Sequence, residues 1–136
     1  MATNILTHAF SDNIRFAKSK TIISPSDTTY NVIAIPKFGF VKSVWLEVAV
    51  ATDVEPDACS IGWSGNGETA QVAGFMSLDI ADPTVLGLKV AMKDTLVSFP
   101  GKYFSTASGL ITFTFEAGSA TTLGTFRVYA DYTVIH

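Results

Sequence analysis

The stretch that decides the fold is Thr125-Phe126-Arg127-Val128-Tyr129-Ala130-Asp131-Tyr132-Thr133-Val134. Phe126, Val128, Ala130, Tyr132 and Val134 alternate with Arg127, Tyr129, Asp131 and Thr133. A period of two places one set on a core and leaves the other outside, which describes a strand with one buried face. Val41 to Ala51 repeats the pattern, with Val44, Leu46, Val48 and Val50 on one side and Ser43, Trp45, Glu47 and Ala49 on the other. Leu110 to Glu116 does so again, with Ile111, Phe113 and Phe115 on one side. Val, Thr, Phe and Tyr dominate all three, as suits a pleated surface.

Working outward, shorter strands are expected at Ile14–Ala17, Lys20–Ile23, Thr29–Ile35, Ala58–Trp63, Val72–Met76, Val85–Ala91 and Thr95–Phe99. Turn-forming residues separate them: Ser24-Pro25-Ser26-Asp27, Pro36-Lys37, Asp53 to Asp57, Gly65-Asn66-Gly67, Asp82-Pro83, Pro100-Gly101 and Ala117-Gly118-Ser119. No helical period of useful length occurs. About eight to ten short strands broken at this spacing predict an all-β, antiparallel two-sheet jelly-roll sandwich. No linker, repeat or composition shift divides residues 1–136, so one domain is expected. Residues 1–20 form either an extended arm, adding a strand to a neighbour, or an ordinary first strand.

The chain has 136 residues, 48% hydrophobic and 15% charged, with net charge −3. A typical soluble domain carries roughly 25% charged residues. The deficit predicts that part of the surface is covered by another molecule. Nucleic acid is not the expected partner, because phosphate neutralisation needs clustered Lys and Arg and no basic run exists. A membrane is not expected either. Met1 to Leu6 lacks a basic start and an apolar run, and the longest uncharged stretch, Tyr103 to Phe115, is too short and polar to span a bilayer. One cysteine, Cys59, excludes an internal disulfide and fits synthesis in a reducing cytoplasm.

No enzyme is expected. The two histidines, His8 and His136, lie near the termini, poor places to hold a base. Cys59 sits in the apolar run Ala58-Cys59-Ser60-Ile61 and is read as a buried hydrophobe. Gly62-Trp63-Ser64-Gly65-Asn66 starts like a nucleophile elbow but has Asn66 where glycine is required. Gly65-Asn66-Gly67-Glu68-Thr69-Ala70 mimics a dinucleotide fingerprint without the helix that fingerprint needs, so Asn66-Gly67 reads as a hairpin turn. Asp53, Glu55 and Asp57, with Asp79 and Asp82 beyond, match no calcium loop, and two His and one Cys form no zinc pattern. No catalytic residue, metal or cofactor is therefore assigned.

Trp45 and Tyr129 are out of phase with their apolar neighbours, and Trp63 closes the expected Ala58–Trp63 strand where the Gly62 to Gly67 loop begins. These three residues are the candidate interface anchors, since Trp and Tyr are enriched where interfaces bind most tightly.

Phe38-Gly39-Phe40-Val41-Lys42-Ser43-Val44-Trp45-Leu46-Glu47-Val48 resembles a stretch of small virion proteins from tailed bacteriophages. So do Gly101-Lys102-Tyr103-Phe104 before Leu110 to Phe115, the closing Phe126-Arg127-Val128-Tyr129-Ala130-Asp131-Tyr132, and the middle segments Ala58 to Trp63 and Ala73 to Met76. The resemblance runs from about Ile33 to Tyr132 and rests on structural motifs; Cys59 and the Gly62 to Gly67 segment depart from it. It implies a jelly-roll capsid decoration (cement) protein, made in the host bacterial cytoplasm. Such a protein binds the major capsid protein at the capsid surface of the virion as a homo-oligomer, typically a trimer, and stabilises the head. It implies no catalytic residues. The rival reading is a tail or fibre adhesin binding a host glycan, with an exposed aromatic such as Trp63 as stacking platform. A small jelly-roll enzyme is the third class, disfavoured for want of clustered polar groups.

Overall fold

The computed structural model describes residues 14–23, 25–91, 101–117 and 123–135. Strand β10 (Thr125–Val134) is its organising element. Along one edge it pairs antiparallel with β4 (Gly39–Val50). Along the other it pairs with β1 (Ile14–Lys18) and, further on, with the two-residue β2 (Ile22–Ile23). The far edge of β4 is likewise shared, by β7 (Gly87–Val90) and the short β8 (Lys102–Tyr103). A second sheet runs β3-β9-β5-β6, formed by β3 (Thr28–Ile35), β5 (Ala58–Gly65), β6 (Glu68–Met76) and β9 (Gly109–Glu116).

Counting β1 with β2, and β7 with β8, as one position each leaves eight strand positions in chain order among the described residues. They arrange as 1-8-3-6 in one sheet and 2-7-4-5 in the other. That is the jelly-roll order, in which successive strands alternate sheets except at one hairpin. The expected two-sheet sandwich is the observed fold.

The core lies between the sheets, where the alternation said it would. Phe126, Val128 and Ala130 from β10, Val44 and Leu46 from β4, and Ile111, Phe113 and Phe115 from β9 have no exposed surface. Phe126 reaches across to Phe113 and Phe115, with ring centroids 5.3 and 5.9 Å away. At this separation aromatic pairs add to plain area burial.

Two irregularities correct the expected phases. On β4, Ala49 is skipped in the pairing with β10, where Phe126 faces Val48 and Thr125 faces Val50. The extra residue reverses the alternation, so Val50, expected inside, is 46% exposed. Lys42 is skipped in the same way, which lets both Val41 and Val44 point inward. A single helical turn, α1 (Leu78–Ala81), follows β6. The sequence pattern missed it because one turn is too short to show a period of 3.6. Strand β8 was also missed, being two residues long, and the strand expected at Thr95–Phe99 lies outside the described residues.

Ile14–Lys18 is a strand of this chain's own sheet. The remainder of a possible arm, residues 1–13, lies outside the described residues.

Candidate interaction surface

The outward faces of the two sheets differ in chemistry. Behind β9, Thr29, Asn31, Thr114 and Glu116 present hydroxyls, an amide and a carboxylate, and Thr29 and Thr114 hydrogen-bond each other at 2.9 Å. The outward face of the first sheet is aromatic and aliphatic. Its central row crosses four strands in register: Lys18, Tyr129, Trp45 and Val90. One row along, Phe16 of β1 lies over both aromatics, its ring centroid 5.7 Å from Tyr129 in a stacked arrangement and 6.2 Å from Trp45. On the other side, Leu88 sits opposite Glu47. A groove of about 460 Å³ runs between Phe16, Trp45, Tyr129 and Leu88, floored by Glu47 and Gly87.

Three polar groups at the middle of this face bond one another. Glu47 accepts hydrogen bonds from Tyr129 Oη at 2.8 Å and Arg127 Nη1 at 2.9 Å. Arg127 Nε donates to Thr21 at 3.0 Å. The hydrogen bond from Tyr129, then that from Arg127, holds the Glu47 carboxyl below the usual carboxylate range. The same bond pushes the Tyr129 hydroxyl above its ordinary value. At neutral pH the face therefore holds an ionised, already partnered carboxylate, an arrangement suited to contact rather than proton transfer.

Of the three sequence-expected anchors, the structure brings Trp45 and Tyr129 together as cross-strand neighbours and leaves Trp63 apart. Trp63 lies within strand β5, which runs on to Gly65, and shares the inward phase of Cys59 and Ile61 instead of turning outward. Its ring packs 5.2 Å from that of Phe75. Residues Val72 to Phe75 of β6 bulge opposite β5, since Ile61 faces Met76 while Trp63 already faces Gln71. This arch brings the Gln71–Val72 backbone against Gly62 so closely that a Cβ there would lie 1.7 Å from the Gln71 carbonyl oxygen. Gly74 packs directly on the indole, and the Lys102 ammonium stands 4.7 Å from its centroid.

The chemistry weighed from sequence finds little geometry to support it. Cys59 is fully buried, and burial pushes its thiol up to about 12. Among the described residues no three His, Cys, Asp or Glu side chains gather as a metal site, and no helix is long and apolar enough to cross a membrane. His8 and His136 lie outside the described residues.

Phe16, Leu88 and the Glu47–Arg127 pair were not singled out from sequence. The signal was present in part: Glu47 and Arg127 share the out-of-phase set with Trp45 and Tyr129. Phe16 and Leu88 join them only through strand pairing.

No protein-family model and no curated protein matches the chain. Among solved structures, the acid-stable capsid of Helicobacter pylori bacteriophage KHP30 contains a chain that superposes with a TM-score of 0.63 at 17% identity, over 88% of this chain and 86% of that one. The capsid asymmetric unit of cyanophage Pam1 contains another, with a TM-score of 0.60 at 15% identity, over 99% of this chain and 94% of that one. This chain shares its fold with chains of two phage capsids. At this identity the likeness is one of strand order and packing, carried by few common side chains.

Proposed function

We propose that this chain is a bacteriophage virion protein of the capsid decoration type. It binds the outer surface of the major capsid protein lattice and stabilises the head, as a small homo-oligomer for which the resemblance implies a trimer. The observation that carries this reading is the shared jelly-roll fold, matched along 88% and 99% of this chain by chains from two phage capsids. The resemblance of Phe38 to Val48 and Phe126 to Tyr132 to phage virion proteins points the same way. Physically, a ligand that binds the assembled lattice and not its separated subunits shifts the equilibrium toward the lattice by mass action. A rigid sandwich with an aromatic outward face is suited to that role, and an interface of roughly 1,600 Å² suffices when a few aromatic anchors pack well. Trp45, Tyr129 and Trp63 are the anchors proposed, for contact between copies or with the lattice.

The test is to strip the protein from purified particles and heat stripped and complete particles side by side while following genome release. Stripped particles are expected to leak at a lower temperature, and adding the protein back restores the original value. Attachment through apolar contacts should change little between low and moderate salt. Equal leakage temperatures would reject the decoration role. Unchanged heat stability with lost attachment to cells would identify a glycan-binding adhesin instead. In that case Trp63 stacks on a sugar only if Lys102 moves away from its ring.

A further inference from the structure

We infer that the outward face of the β1-β10-β4-β7 sheet is a self-association surface that docks a second copy of this chain. The inference rests on the oligomer part of the proposed function and not on the capsid partner.

The first argument is size. Phe16 is 64% exposed, Leu88 58%, Ile14 49% and Val90 39%, and the half-buried Trp45 and Tyr129 join them across the sheet. Large side chains each offer on the order of 150–250 Å², so these fractions amount to roughly 400–500 Å² of contiguous apolar surface. A monomer seldom exposes more than about 300–600 Å² in one patch, and a stable interface takes about 800 Å² from each partner, apolar at its centre and polar at its rim. The patch is the right size for the centre of such an interface.

The second argument is charge. The charged groups on this face are Lys18, Lys42 and Arg127 against Glu47 and Asp131, so the face carries a single excess positive charge. The other described charged residues, five basic and eight acidic, sum to −3. Two copies meet here with little repulsion, whereas contact through the more acidic remaining surface brings like charges together. A strongly basic or acidic partner finds no complementary field.

The third argument is the state of the β1 edge. It is interrupted by the break between β1 and β2. A short, broken edge resists strand addition, which favours association through the face over this edge.

The test compares the oligomeric mass of the wild type with that of Phe16→Asp/Leu88→Asp, by light scattering and sedimentation at tens of micromolar. Both side chains are more than half exposed, so the fold should survive. Leu88→Asp alone carries the test if the double variant does not fold. Thr29→Asp/Asn31→Asp makes the same charge change on the opposite outward face. The expected result is an oligomeric wild type and an oligomeric Thr29/Asn31 variant, with the Phe16/Leu88 variant monomeric and its association weakened at least about hundredfold. A dimer or a trimer that dissociates in this way supports the inference equally. A monomeric wild type, or a Phe16/Leu88 variant that keeps the wild-type mass, overturns it. Binding of the same proteins to stripped particles separates the two readings. A monomeric wild type that still decorates heads overturns the self-association face and leaves decoration standing. Oligomers that break as expected but never bind heads leave the face standing and overturn decoration.

Discussion

At the scale of single residues, the molecule uses its one cysteine as a space-filling apolar group. Cys59 pairs with Phe115 across β5 and β9, and its side chain is fully enclosed between the sheets. Desolvation of the thiolate dominates and pushes the thiol up to about 12, with Asp82 adding to the effect and Lys89 opposing it. At pH 8 only on the order of one thiol in ten thousand is ionised, and the thiolate is the reactive form. A disulfide reagent should therefore label the native protein slowly and the urea-unfolded protein within the mixing time. Fast native labelling would show that β5 does not hold Cys59 in the core. Burial of this thiol was legible from its apolar neighbours in sequence. The packing of Gly62 and Gly74 was not, because both contacts depend on the arch of β6.

At the scale of elements, the β5–β6 hairpin does more than reverse the chain. Asn66 and Gly67 both have positive φ, 56° and 69°, which fits the two-residue turn whose twist matches its flanking strands. The Asn66 side chain is nevertheless almost wholly buried. Its Oδ1 accepts hydrogen bonds from the backbone of Thr106 at 2.7 Å and Ala107 at 3.1 Å, and its backbone N–H donates to Ser108 at 3.0 Å. The turn thus pins the segment between β8 and β9, and Nδ2 reaches Glu68 at 3.1 Å, which in turn pairs with Lys102. Asn66→Gly keeps the turn geometry and removes the side-chain bonds, leaving the part-buried N–H groups of Thr106 and Ala107 without their acceptor. It is expected to cost about 1–3 kcal/mol in urea unfolding. Asn66→Asp, which retains the acceptor, should cost less. Equal stability of wild type and Asn66→Gly would mean that the turn alone matters. The turn was readable from two adjacent letters, but its second role joins residues forty positions apart.

At the scale of the whole molecule, acid stability links two sites on different sheets. Glu47 on β4 is held below its ordinary value chiefly by the Tyr129 hydrogen bond, and Glu68 on β6 chiefly by Lys102. A carboxylate with a depressed folded pKa stabilises the fold above its unfolded value, about 4.5, and loses that contribution as pH falls through the folded value. Tyr129 shifts upward, so its contribution is present below about 10 and is lost as pH rises beyond it. The urea midpoint should thus stay level from pH 7 to about 5 and decline below about 4.5. Glu47→Gln and Glu68→Gln should each lower the neutral plateau slightly and flatten the acid decline. Because the two sites share no partner, their effects should add. A midpoint as high at pH 3.5 as at pH 6 would contradict these assignments.

The sequence by itself determined the class of fold, the core faces of β4, β9 and β10, and the Asn66-Gly67 turn. Each depends only on a period of two or on local backbone preference, which neighbouring residues carry. It also marked Trp45 and Tyr129 as belonging to the outside. Tertiary structure alone decided that these two are cross-strand neighbours, that Phe16 and Leu88 complete their surface, and that Trp63 packs beneath β6 at another place. It also turned Val50 outward through one skipped residue. Strand pairing joins residues more than a hundred positions apart, such as Ile14 and Thr133, and a bulge of one residue exchanges inside for outside. The pattern along a single strand records neither its partners nor its register.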